Sequence, residues 1–455
     1  MEKISVVGMG YVGTAMATLI ASIKKKNSYQ YFVRGIEQNN DRGISISKML
    51  NKGILPFDIN DKLFKKNFYH ATRKKKNLIC SNSIKDISDS KIVIVSINCD
   101  LKQKNKPDVD LQGFLRSIKT ILENLNQDAL LIIESTIPPG TCELKILPMI
   151  KDEFKKRKIK LTNFLLAYTY ERVMPGSNYL DSIKNYWRVM AGLNKSSAIK
   201  CRNFLSKIIN VKKFPLTELD SIRACELGKI LENSFRATNI AFIEEWARFA
   251  ELMNIDIYKV IEAIRLRPTH ANIRHPGFGV GGYCLTKDPL FGEYSAKKIW
   301  KLNNLDFPFS KQSIKINNKM PLVTLKKIKE IFNNKIKNKK ILILGVSYKE
   351  NVGDLRSSPS LYFINQCIKE KANIYWHDPY IKNISISKTE KLDKIKNFNH
   401  FDIIVLAVGH EIYKNINFLH CNFKDTIVFD ANYTLTRKQI NKIIKNKIKF
   451  QSIGR

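Results

Sequence analysis

The stretch Gly277-Phe278-Gly279-Val280-Gly281-Gly282-Tyr283-Cys284-Leu285-Thr286-Lys287-Asp288-Pro289 sets four glycines ahead of one thiol and a carboxylate four residues behind it. Gly279, Gly281 and Gly282 permit positive φ and close approach of backbone to a ligand. Most cysteines are small buried hydrophobes. A glycine-rich turn is rarely deep core, so Cys284 reads as a nucleophile, with Asp288 near the thiol or near a water it activates. A second constellation stands in the run Cys225–Asn239: Glu226, Lys229 and Asn233. Lys229 and Asn233 are spaced i, i+4 and share one helix face. A lysine on such a face can pass protons or donate to an oxyanion.

A third group opens the chain. Gly8-Met9-Gly10-Tyr11-Val12-Gly13 follows a strand-like run and precedes a helix-like one. In this setting Gly8 makes the tight turn, Gly10 lets backbone approach a pyrophosphate and Gly13 lets the helix pack on the strand. The helix N-terminus supplies N–H groups and a positive dipole. Glu37, at the end of the second strand-like run, is placed to bond a ribose 2′-OH and favours NAD over NADP. Arg42 stands near enough to receive a 2′-phosphate. A later run, Ser347–Ser360, has no glycine cradle but offers Lys349 and Arg356, which suit a diphosphate held by a point charge and a guanidinium fork.

The elements that must position these groups follow from hydrophobic periodicity. Residues 1–210 alternate short apolar runs with helix-like stretches, the signature of a parallel sheet covered on both faces. Its strand candidates are KISVVG, YFVRGIE, KIVIVSI and ALLIIES. Residues 218–265 read as one long helix opening a small helical domain over 211–318. The run LDFPFSKQSIKINNKMP (305–321) reads as a linker. Residues 319–455 bring a second set of strands: KKILILGV, NIYWHD, FDIIVLAV and DTIVFD. The expected fold class is α/β, with two Rossmann-like parallel-sheet domains joined by a central all-helical domain.

A chain of 455 residues is long enough for two or three domains. Its apolar runs are strand-length and far short of a membrane span. The first residues enter a strand without a secretory signal pattern, which reads as a cytoplasmic protein. The eight cysteines are scattered, and the seven histidines show no ligand spacing, so no metal is expected. The net charge of +37 goes with joint over-use of lysine, asparagine and isoleucine along the whole chain. It reads as compositional bias rather than specific nucleic-acid binding. A positive field would still attract an anionic small substrate.

These pieces together imply NAD, a nucleotide-like anion, a thiol, a lysine, an amide and a carboxylate. Simple alcohol oxidation needs no thiol. A thiol is needed when the aldehyde is trapped as a thiohemiacetal, oxidised again to a thioester and released by water.

The sequence resembles the UDP-glucose/GDP-mannose dehydrogenases, or nucleotide-sugar 6-dehydrogenases, over nearly its whole length. The resemblance rests on GMGYVG, ESTIPPGT, YERVMPG, ELGKILENSFRATNIAFIEE, PGFGVGGYCLTKDP and SYKENVGDLRSSPS, in family order. It implies oxidation of a sugar CH₂OH to a carboxylate with two NAD. By position, Cys284 resembles the nucleophile, Lys229 and Asn233 the oxyanion and proton-handling pair, and Asp288 the water-activating carboxylate. Glu171 corresponds to an acid assisting thioester hydrolysis, and Thr136 to a threonine that holds the catalytic water near nicotinamide. Tyr11 and Val12 fall in the cofactor loop. Arg172, Arg236, Gly281, Gly282, Lys349 and Arg356 fall in segments that contact substrate. The family also implies a homodimer formed through the helical domain. Arg172 and Pro175 follow the acetamido-sugar branch, whereas Lys287 departs from it. A UDP-hexose, a UDP-N-acetylhexosamine and GDP-mannose all stay open as substrates. Single-step hydroxyacid dehydrogenases share the outline but have no use for Cys284.

Overall fold

The computed structural model describes residues 1–159, 164–173, 176–395, 398–418 and 426–455. Pro175, singled out above, and Cys421, one of the eight cysteines, lie outside the described residues. The chain divides into two compact units: Met1–Glu232 with Leu290–Phe307, and Asn233–Pro289 with Pro308–Arg455.

The first unit holds β1 (Glu2–Val7), a short hairpin of β2 (Lys24–Lys25) and β3 (Ser28–Tyr29), β4 (Tyr31–Ile36), β5 (Leu78–Ser81) and β6 (Ile92–Val95). Next come β7 (Leu130–Ile133), β8 (Leu165–Tyr170), β9 (Arg188–Gly192) and β10 (Leu216–Glu218). Outside the hairpin they form one sheet in the order β10-β9-β8-β7-β6-β1-β4-β5. All its pairings are parallel except β8 with β9. Because helices cover both faces, β6 and β7 are apolar throughout. Along β7, Leu130 and Ile132 enter one core while Leu131 and Ile133 enter the other. The strand order reverses beside β1, whose neighbours are β6 and β4. At such a switch point, ligands bind beyond the strands' carboxyl ends.

The second unit holds β11 (Lys340–Leu344), β12 (Asn373–His377), β13 (Thr389–Lys391), β14 (Ile403–Leu406), β15 (Ile427–Asp430) and β16 (Lys449–Ser452). They form a parallel sheet in the order β13-β12-β11-β14-β15-β16. Both sheets match the expected α/β class, and each expected strand run is a strand.

Two helical expectations are corrected. The long helix spans Ile222–Leu252 and does not continue to 265. Asn254 takes a left-handed φ of 55°, which asparagine tolerates, and Asp256 then caps a new helix at Ile257–Arg265. The supposed linker is the first half of a 24-residue helix, Pro308–Ile331. Its lysines and asparagines disguised a buried stripe of Ile314, Met320, Leu325 and Ile328. Pro308 occupies the first turn, where no donor is needed. Pro321 sits inside the helix and packs against Gly279, where an added Cβ would lie 3.2 Å from its ring. Among the described residues, no helix is long and apolar enough to cross a membrane, and no group of three or more His, Cys, Asp or Glu could hold a metal ion.

Candidate active site

The glycine loop follows β1 at the switch point. Gly8 has φ 93°, and a Cβ there would meet the Ser96 carbonyl oxygen at 2.7 Å. A Cβ on Gly13 would lie 1.9 Å from the Gly8 carbonyl oxygen, so only glycine lets the helix Tyr11–Ala21 start this close to the strand. Gly10 differs, because a Cβ there would meet nothing within 4 Å. Protein packing does not require that glycine, and the space beside it is open. Glu37 accepts a 2.6 Å hydrogen bond from the Met9 N–H, which brings its carboxylate across the loop where a ribose hydroxyl is read. Tyr11 stacks on Phe57 at 4.1 Å, and Val12 packs against the core. Arg42 is exposed on the first turn of the helix Asp41–Asn51. The loop therefore fits a dinucleotide, which Gly8, Gly10, Gly13 and Glu37 would adjoin.

Thr136 stands on the loop after β7, partly exposed and just ahead of the Pro138-Pro139-Gly140 turn. The turn is clamped by its neighbours in the first unit. The Pro139 carbonyl accepts from Ser295 Oγ at 2.5 Å and from Trp300 Nε1 at 3.0 Å. Glu226, on the long helix, accepts from the Gly140 N–H at 2.5 Å and the Cys142 N–H at 2.9 Å. Burial pushes the Glu226 carboxyl up to about 7, opposed by those bonds from Cys142 and Gly140. The sequence placed Glu226 beside Lys229 but gave it no partner.

One turn further along the helix, Lys229 Nζ donates to the Glu171 carbonyl at 2.7 Å and lies 3.6 Å from Glu171 Oε1. Buried Glu226 and Lys229 thus reach two loops at the sheet's carboxyl end, those of Thr136 and Glu171. Gly228 lies between them, where a Cβ would lie 3.1 Å from the Tyr170 hydroxyl, a tight contact. Arg172 is engaged within the protein: its guanidinium pairs with Glu232, which also accepts from the Tyr170 hydroxyl at 3.1 Å.

In the second unit, Asp288 is 0% exposed and both its oxygens are occupied. Lys287 Nζ reaches Oδ1 at 2.8 Å, and Asn233 Nδ2 donates to Oδ2 at 2.7 Å. Lys287, read from the sequence only as a branch marker, is the counter-ion of the predicted base. Cys284 precedes this group, and its carbonyl accepts from the Asp288 N–H at 2.9 Å. Its side chain is half-buried, whereas the six other described cysteines are buried. Burial pushes the thiols of Cys80 and Cys201 up to about 12, which suits inert packing groups.

The loop glycines are spent on the protein's own packing. A Cβ on Gly281 would meet Tyr348 Cβ at 2.6 Å, and Gly282, at φ 85°, would meet the Tyr348 ring at 2.8 Å. The Gly282 N–H donates to the Arg356 carbonyl at 2.9 Å. Tyr283 lies between two cations, Lys287 Nζ at 4.3 Å and the Arg356 guanidinium at 5.7 Å from its ring centroid. Arg356 also pairs with Asp354 at 2.6 Å. Lys349 lines a cavity of about 240 Å³ with Phe278, Gly279, Tyr348, Val408 and Asn432. Burial lowers the Lys349 ammonium, Glu350 opposes this, and Arg236 lowers it further. Burial, and then Arg236 and Arg265, lower the Arg274 guanidinium as well.

A dinucleotide-type loop in one α/β unit and a polar cavity lined by Lys349 and Glu350 in the other fit a dehydrogenase of nucleotide-linked substrates. Residues 2–209 match the NAD binding domain of the UDP-glucose/GDP-mannose dehydrogenase family, residues 223–319 its central domain and residues 342–437 its UDP binding domain. The chain belongs to that family and is an NAD-dependent nucleotide-sugar dehydrogenase. It is 30% identical to a UDP-N-acetyl-D-mannosamine dehydrogenase of Methanocaldococcus jannaschii, over 96% of this chain and 93% of that one. It is 26% identical to a UDP-glucose 6-dehydrogenase of Rickettsia prowazekii, over 97% of each chain. The solved structure of UDP-D-ManNAc dehydrogenase from Pyrococcus horikoshii is similar to it, with a TM-score of 0.81 and 26% identity over 100% of this chain and 99% of that one.

Proposed function

We propose that the protein oxidises C6 of UDP-N-acetyl-D-mannosamine, in two steps, to the uronate. The sugar assignment rests on whole-length similarity to dehydrogenases of that name. The two-step assignment rests on one observation: Cys284 is the described cysteine whose side chain is not buried, and it adjoins a fully buried, doubly held carboxylate.

Two NAD molecules, held in turn at the glycine loop, would supply the hydride acceptors, one for each oxidation. The C6 alcohol loses a hydride and a proton to become an aldehyde, and Cys284 Sγ adds to that carbon. Loss of a second hydride leaves a thioester. Water attacks it, the carboxylate forms and Cys284 departs as thiolate. Lys229 and Asn233 donate to the oxygen as charge grows on it. Asn233 gives one amide N–H to Asp288 and has a second to offer. Asp288, oriented by Lys287 and Asn233, takes the proton of the attacking water; Glu171 and Thr136 place that water. Lys349, Arg236 and Arg356 hold the diphosphate.

The test is NADH yield per substrate, with UDP-N-acetylmannosamine, UDP-N-acetylglucosamine, UDP-glucose and GDP-mannose offered in turn. Two NADH per UDP-N-acetylmannosamine, at the highest kcat/KM of the four, is expected. One NADH would overturn the two-step reading, and preference for another sugar would overturn the substrate.

The protein is also assigned as a homodimer. Leu227, Leu231, Phe235, Phe242, Trp246 and Phe249 form an exposed stripe along the helix Ile222–Leu252, too large an apolar patch for a lone surface helix. A second copy of the chain is the occupant proposed. Light scattering should give the dimer mass, and the double variant Phe242→Glu, Trp246→Glu should give the monomer mass. A monomeric wild-type protein would refute this.

A further inference from the structure

Arg188 opens β9 with its side chain 3% exposed, and it forms an ion pair with Glu134, whose side chain is 0% exposed. Arg188 Nε donates to Thr169 Oγ1 on β8 at 3.1 Å. Its Nη1 lies 3.4 Å from Met16 Sδ, on the helix that follows the glycine loop. The second oxygen of Glu134 accepts from Ser96 Oγ at 2.6 Å. Ser96 follows β6 at the switch point and abuts both Gly8 and Gly13: its carbonyl oxygen is 2.7 Å from a Cβ on the first and its own Cβ 3.4 Å from one on the second. In the other direction, Glu134 leads into Ser135, whose hydroxyl donates to the Ile97 carbonyl at 2.7 Å, and then into Thr136. A charged chain therefore runs Arg188–Glu134–Ser96 beneath the glycine loop, inside the first unit.

Such a pair is a poor way to gain stability. Desolvating two ions costs several kcal/mol each, and replacing a buried pair with apolar groups of similar volume is often neutral or stabilising. Burial lowers the Arg188 guanidinium to about 10. The pair lies at the carboxyl edge of the parallel sheet, where a dinucleotide binds. Its contacts go to the residue flooring the glycine loop, to the helix after that loop and to the strand end leading into Thr136. A fixed fork and a carboxylate hold directions that apolar contacts leave loose.

We propose that Glu134 and Arg188 are positioning residues for the dinucleotide site, acting through Ser96 and the β7 loop. This rests on NAD binding by the family and is independent of the thiol chemistry. The test is the double variant Glu134→Leu, Arg188→Met, with NAD and UDP dissociation constants measured by calorimetry. The expected variant melts no lower than wild type, binds NAD about tenfold more weakly (about 1.4 kcal/mol) and binds UDP unchanged. A merely structural role would lower the melting temperature and leave NAD affinity intact in the folded protein. Should the double variant fail to fold, Ser96→Ala decides, since it cuts the link and leaves the ion pair. Threefold or more weakening of NAD binding supports the proposal. Wild-type NAD affinity in the folded double variant, or failing that in Ser96→Ala, overturns it.

Discussion

Cys284→Ser is expected to lower steady-state formation of the uronate by about 10³-fold, or about 4 kcal/mol of transition-state stabilisation. The first oxidation makes no bond to sulfur, so a single turnover should still release up to one NADH. The second oxidation requires a tetrahedral adduct on the enzyme. A serine hydroxyl is a far weaker nucleophile than a thiolate, and an oxygen ester activates the carbonyl less than a thioester does. Cys284 is half-buried, so the change removes little apolar contact. The fold should persist, because the loop is held by Tyr348, the Arg356 carbonyl and the Lys287–Asp288 pair rather than by the sulfur. Rapid-mixing absorbance at 340 nm, with the aldehyde trapped by a hydrazine, separates the two stages. Steady release of two NADH per sugar from the serine variant would remove Cys284 from the mechanism. A variant that no longer binds NAD would show that the loss came from the fold.

The strands and glycine loop were legible in the sequence because they depend on local signals. A parallel sheet buried on both faces writes itself as runs such as IVIV and LLII, and the three glycines of the cofactor loop stand at mechanically fixed spacings. The helix Pro308–Ile331 was hidden because its buried stripe is interleaved with lysine and asparagine and carries two prolines. The break at Asn254 was hidden because a left-handed asparagine leaves no composition mark. At the site, the sequence supplied residue types but not their partners. Gly281 and Gly282 read as room for a ligand, and the structure adds that a Cβ at either would meet Tyr348. Arg172 read as a substrate contact and is paired with Glu232. Long-range pairs such as Glu226 with the Gly140 turn, or Arg188 with Glu134, join positions far apart in the chain. No periodicity encodes them; only the tertiary fold brings them together.

The second large effect is expected from Lys229→Ala: kcat should fall between about 10² and 10⁴-fold, the range for losing a proton-transfer group or an oxyanion donor, while NAD affinity stays within about twofold. Lys229 is 6% exposed, and its position is set twice, by the 2.7 Å bond to the Glu171 carbonyl and by the Tyr170 ring, whose centroid is 5.5 Å from Nζ. Truncation leaves that carbonyl without this donor, which costs about 1–3 kcal/mol of stability, and a melting temperature lowered by several degrees is expected. Turnover must therefore be measured well below the variant's melting temperature. Lys229→Arg separates the two contributions. It keeps a cation and N–H donors in the same pocket, so it should recover most of the stability. A guanidinium cannot release a proton near neutral pH. If Lys229 moves protons, the arginine variant stays slow; if it only donates to the oxyanion, the arginine variant recovers much of kcat. Undiminished turnover in Lys229→Ala would leave the lysine a purely structural link between the long helix and the Glu171 loop.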